Sequence, residues 1–376
     1  RPPRSTLSPS SAASDVYKRQ ILSMGKNTKI TFPELLPKIK RSEWIFIKAA
    51  TRAWTLREAS RLSGLSISAV HNILKDFYKK GQLKFLVNYR KINLLPLIAI
   101  FPKLNLDKAP PFTSTIRKIY NIRSYTFVSA LVPPPFIKKY LNCFNAEPLL
   151  VIKGYEYMRW SPLSPLARYC AETKSIIPVF DFEPVVKQYD YPVEVWSNSY
   201  RAPDVYDLIL LQGRIRHPFA RPLAIYKEMK KIDPTIPNTS EQVLSYHFNK
   251  HVKTVWKGNT ALIFVDTRLV PIRIYYFEGK DAPLFARILC QLPGAFSATI
   301  DIDKAIVIAQ YPCIYEAYIM QEAETFSIEM PHGYFIQSDM NMVKKVPELW
   351  KYVKNKKWVF REELAIPVRN TVQTKT

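Results

Sequence analysis

Residues 66–80, SISAVHNILKDFYKK, carry the most readable chemistry in the chain. Val70, Ile73, Leu74 and Phe77 fall at i, i+3, i+4 and i+7, the stripe a helix buries, which leaves Ser68, Ala69, His71, Asn72, Lys75 and Lys79 on the opposite face. Hydroxyl and carboxamide groups on an exposed helix can hydrogen-bond base edges, while lysines supply charge to phosphates. Other reactive residue types are poorly placed. His247 and His251 stand at i, i+4 and could hold a metal from one helix face, but the glutamate of H-E-x-x-H is missing. Both also fall on the inward stripe of their helix, so packing histidines are expected and no metal. Asp301 and Asp303 belong to D-I-D-K, ordinary turn chemistry between two apolar runs, and Asp181 and Glu183 lie in a proline-bounded stretch with no histidine nearby. None of the nine glycines forms G-x-x-x-x-G-K-[ST] or G-x-G-x-x-G, which argues against a phosphate-cradling loop and an ATPase. No residue set supports nucleophilic catalysis or strand nicking. The chain reads as non-enzymatic and without a cofactor.

The flanking elements position that face. Thr55 is a suitable N-cap for a helix over Leu56–Ser63, Gly64 supplies the tight turn, and Ser66 caps the next helix. Small Ser60 stands where the two helices must approach. RSEWIFIKAATRA, 41–53, reads as a preceding helix offering Trp44, Ile45, Ile47 and Ala50 for packing. Gly81 ends the second helix, and QLKFLVN followed by RKINLLP reads as a hairpin carrying Lys84, Arg90 and Lys91.

Helix, helix and basic hairpin in this order resemble the winged helix-turn-helix family of transcription regulators, over about residues 42–95. In that family the second helix enters the major groove and the wing touches backbone. The resemblance implies that Ser68, Ala69, His71, Asn72 and Lys75 face bases, with Ser66 at the cap beside them. It implies phosphate contacts for Lys79, Lys84, Arg90 and Lys91. The bland alternative is a winged helix used only for protein contacts.

Composition bounds the choice. The 376 residues suffice for two or three domains, 47% of them are hydrophobic, and the net charge is +24, which calls for an acidic partner. Nucleic acid is the expected one. Anionic membrane is the rival, but the longest apolar run, Leu94–Phe101, is short and interrupted by Pro96, so no membrane span is expected. Cys143, Cys170, Cys290 and Cys313 are widely spaced without a C-x-x-C pair, suiting buried, reduced thiols in a cytoplasm. Residues 1–23 are set aside as a non-native or disordered leader. SPSSAASDVYKRQ resembles a translated sequencing-adapter segment, the native start is expected at Met24, and removing the leader's four cations and one anion leaves +21.

After the hairpin come a strand, LPLIAIFPK, a helix near Ser114–Asn121, a strand near Ser124–Leu131, a helix over 136–144 and a strand over 148–160. A proline-rich linker, 161–202, follows. The pattern then begins again. Helices are expected over 204–215, 221–232 and 240–254, the last with Leu244, His247, Phe248, His251 and Val252 inward. Ser240 and Leu244 repeat the spacing of Ser66 and Val70, Lys257-Gly258 matches Lys80-Gly81, and Pro271 matches Pro96. A helix over APLFARILCQL, a hairpin turning at Asp301–Lys304, a helix over 315–325 and a last strand complete the second copy. A helix-turn-helix followed by a β-α-β-β-α-β unit resembles the leucine-responsive regulatory protein family, whose C-terminal half is a ferredoxin-like domain used for oligomerisation and small-molecule sensing. The middle hairpin strand is not visible in the first copy, and neither copy shows a glycine-containing effector loop. VKKVPELWKYVKNKKW reads as an amphipathic basic helix that packs on the second α/β unit or extends the DNA contact, before a disordered tail.

The expected fold class is α+β: two winged helix-turn-helix domains (41–95 and 203–265), each followed by a small ferredoxin-like α/β unit (96–160 and 266–340), with linker 161–202 and basic segment 341–376. The expected function is a sequence-specific double-stranded DNA-binding transcription regulator, cytoplasmic, reading the major groove with helix 66–80. The second reader would be helix 240–254, through Gln242, Ser245, Tyr246, Asn249, Lys250, Lys253 and Lys257, if that copy retains DNA binding. The alternatives are a winged-helix replication initiator binding origin repeats and a non-catalytic structural or assembly protein. Homo-oligomerisation and any small-molecule effector are left open.

Overall fold

The structure, a computed structural model, describes residues 37–196, 202–344 and 347–368. The leader and the last eight residues, on which the first and last expectations fall, lie outside them.

Local signals set the first three helices. α1 (Arg41–Arg52) starts where the Glu43 carboxylate accepts the Lys40 backbone N–H at 2.6 Å. α2 (Leu56–Ser63) starts at Thr55, whose hydroxyl accepts from the Glu58 N–H, and ends at Gly64, φ +69°, in the left-handed region. Nothing lies within 4 Å of a Cβ built on Gly64, so backbone conformation rather than space demands glycine there. Ser66 accepts from the Ala69 N–H and opens α3 (Ile67–Phe77).

The strand that follows, β1 (Gly81–Val87), does not fold back on itself. Tyr89–Ile92 is a 3-10 turn, and the expected hairpin is replaced by a partner from the far half of the chain. That half supplies α6 (Val205–Arg216), α7 (Pro222–Ile232), α8 (Glu241–Lys250) and a strand, β9 (Trp256–Ile263). β1 and β9 pair antiparallel from Gly81↔Ile263 to Leu86↔Gly258. The two Lys-Gly pairs aligned by the repeat thus lie at opposite ends of one ribbon, in equivalent places, and a local two-fold axis passes between them. α1 packs on β9 and α6 on β1, so each helical trio leans on the other's strand. Asn259 bolts this crossing by donating to the carbonyls of Ala50 and Ala53, each at 2.8 Å.

Between the ribbon strands the chain builds a nine-stranded sheet. Its members are β2 (Leu95–Pro102), β3 (Thr113–Tyr120), β4 (Ser124–Val132), β5 (Leu150–Lys153), β6 (Glu156–Met158), β10 (Arg273–Glu278), β11 (Ala295–Ile300), β12 (Lys304–Ala309) and β13 (Tyr334–Lys344). The order is β5-β2-β4-β3-β13-β10-β12-β11-β6, every neighbouring pair antiparallel. Numbered by appearance, each half reads 4-1-3-2, and β3 joins β13 at the seam. β5 and β6 sit at opposite edges although two residues separate them, so the sheet curls until its edges meet. Gly154 stands at that closure: its N–H donates to Pro96 O at 2.8 Å, and a Cβ would lie 2.6 Å from that oxygen and 2.7 Å from Thr299. Inside lies one apolar cluster drawn from both halves, including Ile98, Ile100, Phe127, Ile274, Ile306 and Phe335. β2 alternates between this interior and the outer core of Leu97, Ala99 and Phe101, which accounts for its continuous apolar run.

Several expectations are corrected. Thr113–Tyr120 is strand β3, not a helix. The missing piece of the first half is therefore the crossover helix, whose counterpart in the second half is α9 (Ala282–Leu289). Its place is taken by the C-terminal segment, which is a 3-10 turn (Leu349–Tyr352) and a two-residue hairpin (Val353–Lys354 with Lys357–Trp358), not a helix. Asn355 and Lys356 both take positive φ, as a tight hairpin turn requires. This segment packs on the first α/β unit rather than the second: Tyr352 lies 4.5 Å from the Phe112 ring, and Trp358 donates to Ile92 O at 3.0 Å. The expected linker also has structure, a hairpin of β7 (Ala167–Cys170) and β8 (Ser175–Pro178) and a helix, α5 (Glu183–Tyr189). It braces α1 against the second half, with Tyr169 stacked on Trp44 at 6.3 Å. Two further helices, α4 (Ile137–Asn142) and α10 (Cys313–Ala323), fall where expected. Of the thiols only Cys290 is buried; Cys143 and Cys170 are half-buried and Cys313 is exposed, all four free.

Candidate nucleic-acid interface

α3 and α8 present the two polar faces. On α3, Ser66, Ser68, His71, Asn72 and Lys75 are exposed and Ala69 is half-buried, while Val70 and Phe77 are fully buried against α1 and α2. The buried stripe fixes the rotation of the helix, so sequence order alone turns the polar residues outward. Ser66 and Ser68 hydroxyls lie 3.3 Å apart. Ile67, 45% exposed, adds an apolar group at the first turn of this face that the sequence reading did not single out.

The cations divide into available and occupied. Lys75 is exposed, whereas Lys79 is held at 2.8 Å by Asp76, whose carboxyl the hydrogen bond and charge of Lys79 pull below the ordinary carboxylate range. Arg90 grips Glu194 with two bonds of 2.5 Å, and this arginine likewise lowers the Glu194 carboxyl. Lys91 donates to Thr254 O at 2.9 Å. Arg90 and Lys91 thus tie the ribbon region together instead of forming a projecting wing. Lys84, half-buried in β1 opposite Thr260, is also part of the ribbon.

On α8, Gln242, Ser245, Tyr246, Asn249 and Lys250 are exposed, as are Lys253 and Lys257 beyond it, while Leu244, Phe248 and Val252 are buried. Asn249 spends one donor on Ser245 O, 2.9 Å away within its own helix. The sequence reading passed over exposed Arg57 and Arg61 on α2 and Lys227 and Lys231 on α7, although each pair carries the i, i+4 spacing of one helix face.

Arg214 was also missed, because nothing local marks it. It is 1% exposed, stacks 4.1 Å over Trp54 and near Phe248 and Phe85, and donates to Trp54 O at 2.8 Å. Burial pushes the guanidinium down to about 9, so it stays charged at neutral pH against three aromatic faces. It locks α6 of the second trio onto the end of the first.

No protein-family model, curated protein or solved structure matches the chain. Among the described residues no helix is long and apolar enough to cross a membrane.

Proposed function

We propose that the chain is a sequence-specific double-stranded DNA-binding transcription regulator, non-enzymatic, that carries two helix-turn-helix readers, α3 and α8, in one polypeptide. The observation that carries this reading is the β1–β9 ribbon, whose antiparallel register sets the strand that follows α3 against the strand that follows α8, each helix with an exposed polar face. A symmetric pair of readers suits two half-sites about one helical turn, roughly 34 Å, apart on one face of DNA. The net charge of +24 supplies the backbone attraction. The 4-1-3-2 strand order of each half supports a doubled ferredoxin-like unit, so the chain resembles two subunits of a leucine-responsive regulator fused end to end.

The two-fold arrangement also separates this reading from the replication-initiator alternative. α3 and α8 face DNA in opposite senses, so the two half-sites are inverted, and they are unlike because the exposed residues differ. Direct repeats would fit an initiator better.

The test is selection of bound fragments from random duplex DNA at about physiological salt, followed by titration against an unrelated duplex. The expected outcome is an inverted, imperfect pair of half-sites bound at least about a thousandfold tighter than the control. Direct repeats would move the reading to an initiator, and equal binding to all duplexes to a basic assembly protein.

A further inference from the structure

We propose that Asp204, Asp207, His247 and His251 form a binding site for one divalent transition-metal ion, zinc being the best fit, that pins α8 to the start of α6. The inference stands independently of the DNA-binding reading.

The geometry brings four ligand-type side chains to one point. His247 Nδ1 lies 2.8 Å from Asp207 Oδ1 and 3.4 Å from Asp204 Oδ2. His251 Nδ1 lies 2.9 and 3.2 Å from the two Asp207 oxygens. One donor atom from each residue falls within 4.8 Å of all the others. A tetrahedral zinc ion with bonds of about 2.0–2.1 Å spaces its ligand atoms roughly 3.3 Å apart, within the spread found here. Both imidazoles turn the same nitrogen toward one carboxylate. Hydrogen bonding alone would need a proton on each Nδ1, both directed at Asp207; a metal needs neither proton. The side chains of Asp207 and His247 are only 11% and 12% exposed, while His251, at 43%, leaves a route in from solvent.

The first half of the chain provides an internal comparison. With Ser66 placed on Ser240, the positions of His247 and His251 are held in α3 by Ile73 and Phe77. With the starts of α1 and α6 superposed, Lys40 and Glu43 stand where α6 has Asp204 and Asp207. There the same helix junction is closed by a buried phenyl ring, Phe77, and by Lys80 bound to Glu43 at 2.8 and 2.9 Å. Building a helical trio therefore does not require two histidines and two aspartates. The carboxylate that caps the helix is kept, Glu43 in one copy and Asp207 in the other, while Lys40, Ile73 and Phe77 are exchanged for Asp204, His247 and His251, three groups able to ligate, gathered around it.

The donor set selects the ion. Two imidazole nitrogens and two carboxylate oxygens, without thiolate, suit zinc, cobalt or nickel, whereas magnesium and calcium prefer all-oxygen shells. Bound there, the ion would fix the angle at which α8 leaves α6.

The full-length protein, stripped with a chelator, is titrated with Co2+ followed by absorption and with Zn2+ by calorimetry. The expected result is one equivalent, with cobalt bands of tetrahedral intensity that Zn2+ abolishes. His251→Gln should weaken binding by roughly a hundredfold or more, one ligand's share of a structural zinc site. The double variant His247→Ile/His251→Phe, which installs the residues of the first copy, should keep the fold by circular dichroism and bind no metal. His71→Gln should bind as wild type. A folded wild type that gives neither heat nor bands, or a double variant that binds as tightly as wild type, overturns the proposal.

Discussion

At the residue scale, α3 separates groups able to read bases from groups able only to attract phosphate. Asn72 is exposed at mid-helix and can bond an adenine edge through both ends of its carboxamide. Asn72→Ala is expected to cost about 1–3 kcal/mol on the preferred site and little on an unrelated duplex. Equal losses on both, measured by competition titration, would show that the residue touches only backbone. Lys75 and Arg90 make the complementary comparison. Removing exposed Lys75 should reduce the slope of log K against log salt by about one unit. Arg90 is already neutralised by Glu194, so Arg90→Ala should leave that slope unchanged. A drop of the same size for both would mean that the Arg90–Glu194 pair opens on DNA.

At the element scale, the ribbon is the part on which both helical trios depend. Phe85 of β1 is 5% exposed and packs with Trp54, beneath the Arg214 guanidinium that comes from α6. Phe85→Ala is expected to cost about 3–5 kcal/mol, because the void lies between elements that cannot collapse independently. The more telling outcome is in hydrogen exchange: amides of α1–α3 and of α6–α8 should lose protection together, although more than a hundred residues separate them. Loss confined to α1–α3 would show that the ribbon does not couple the two trios. The cysteines belong to this scale too, since only Cys290 is drawn into a core, at the C-terminal cap of α9.

At the scale of the whole molecule, the C-terminal segment substitutes for a helix that the first half lacks and ties that half to the second trio. Trp350 donates to Asp233 Oδ2 at 3.0 Å, and Lys351 lies 3.6 Å from the same oxygen. Burial raises the Asp233 carboxyl, but hydrogen bonds from Thr235 and Trp350 and the nearby lysine outweigh it and hold the group below its ordinary value. A carboxyl depressed in the fold contributes stability that is present above its unfolded value, about 3.9, and lost as pH falls through the folded one. Protection of amides in 349–358 is therefore expected to hold at pH 7 and to weaken progressively as the pH falls below about 4. In Asp233→Asn, protection should already be weak at pH 7; a variant that behaves as wild type at both values would remove Asp233 from this role.

What the sequence determined by itself is what depends on neighbours along the chain. The caps at Thr55, Ser66 and Ser240, the turn at Gly64 and the three-and-four spacing of buried residues each act within a few residues, so these helices were legible. β3 was misread for a local reason as well. Thr113, Ile116 and Ile119 are the buried positions of the strand, a spacing of three that mimics a helix face. The tertiary structure alone decided which strands meet. Strand pairing carries no local code for its partner, so QLKFLVN suggested a hairpin while its partner lay some 175 residues away in the second copy. His247 and His251 looked like packing residues for the same reason: Asp207, the carboxylate both of them meet, stands on another helix, 40 and 44 residues away, and arrives only once the trio has folded.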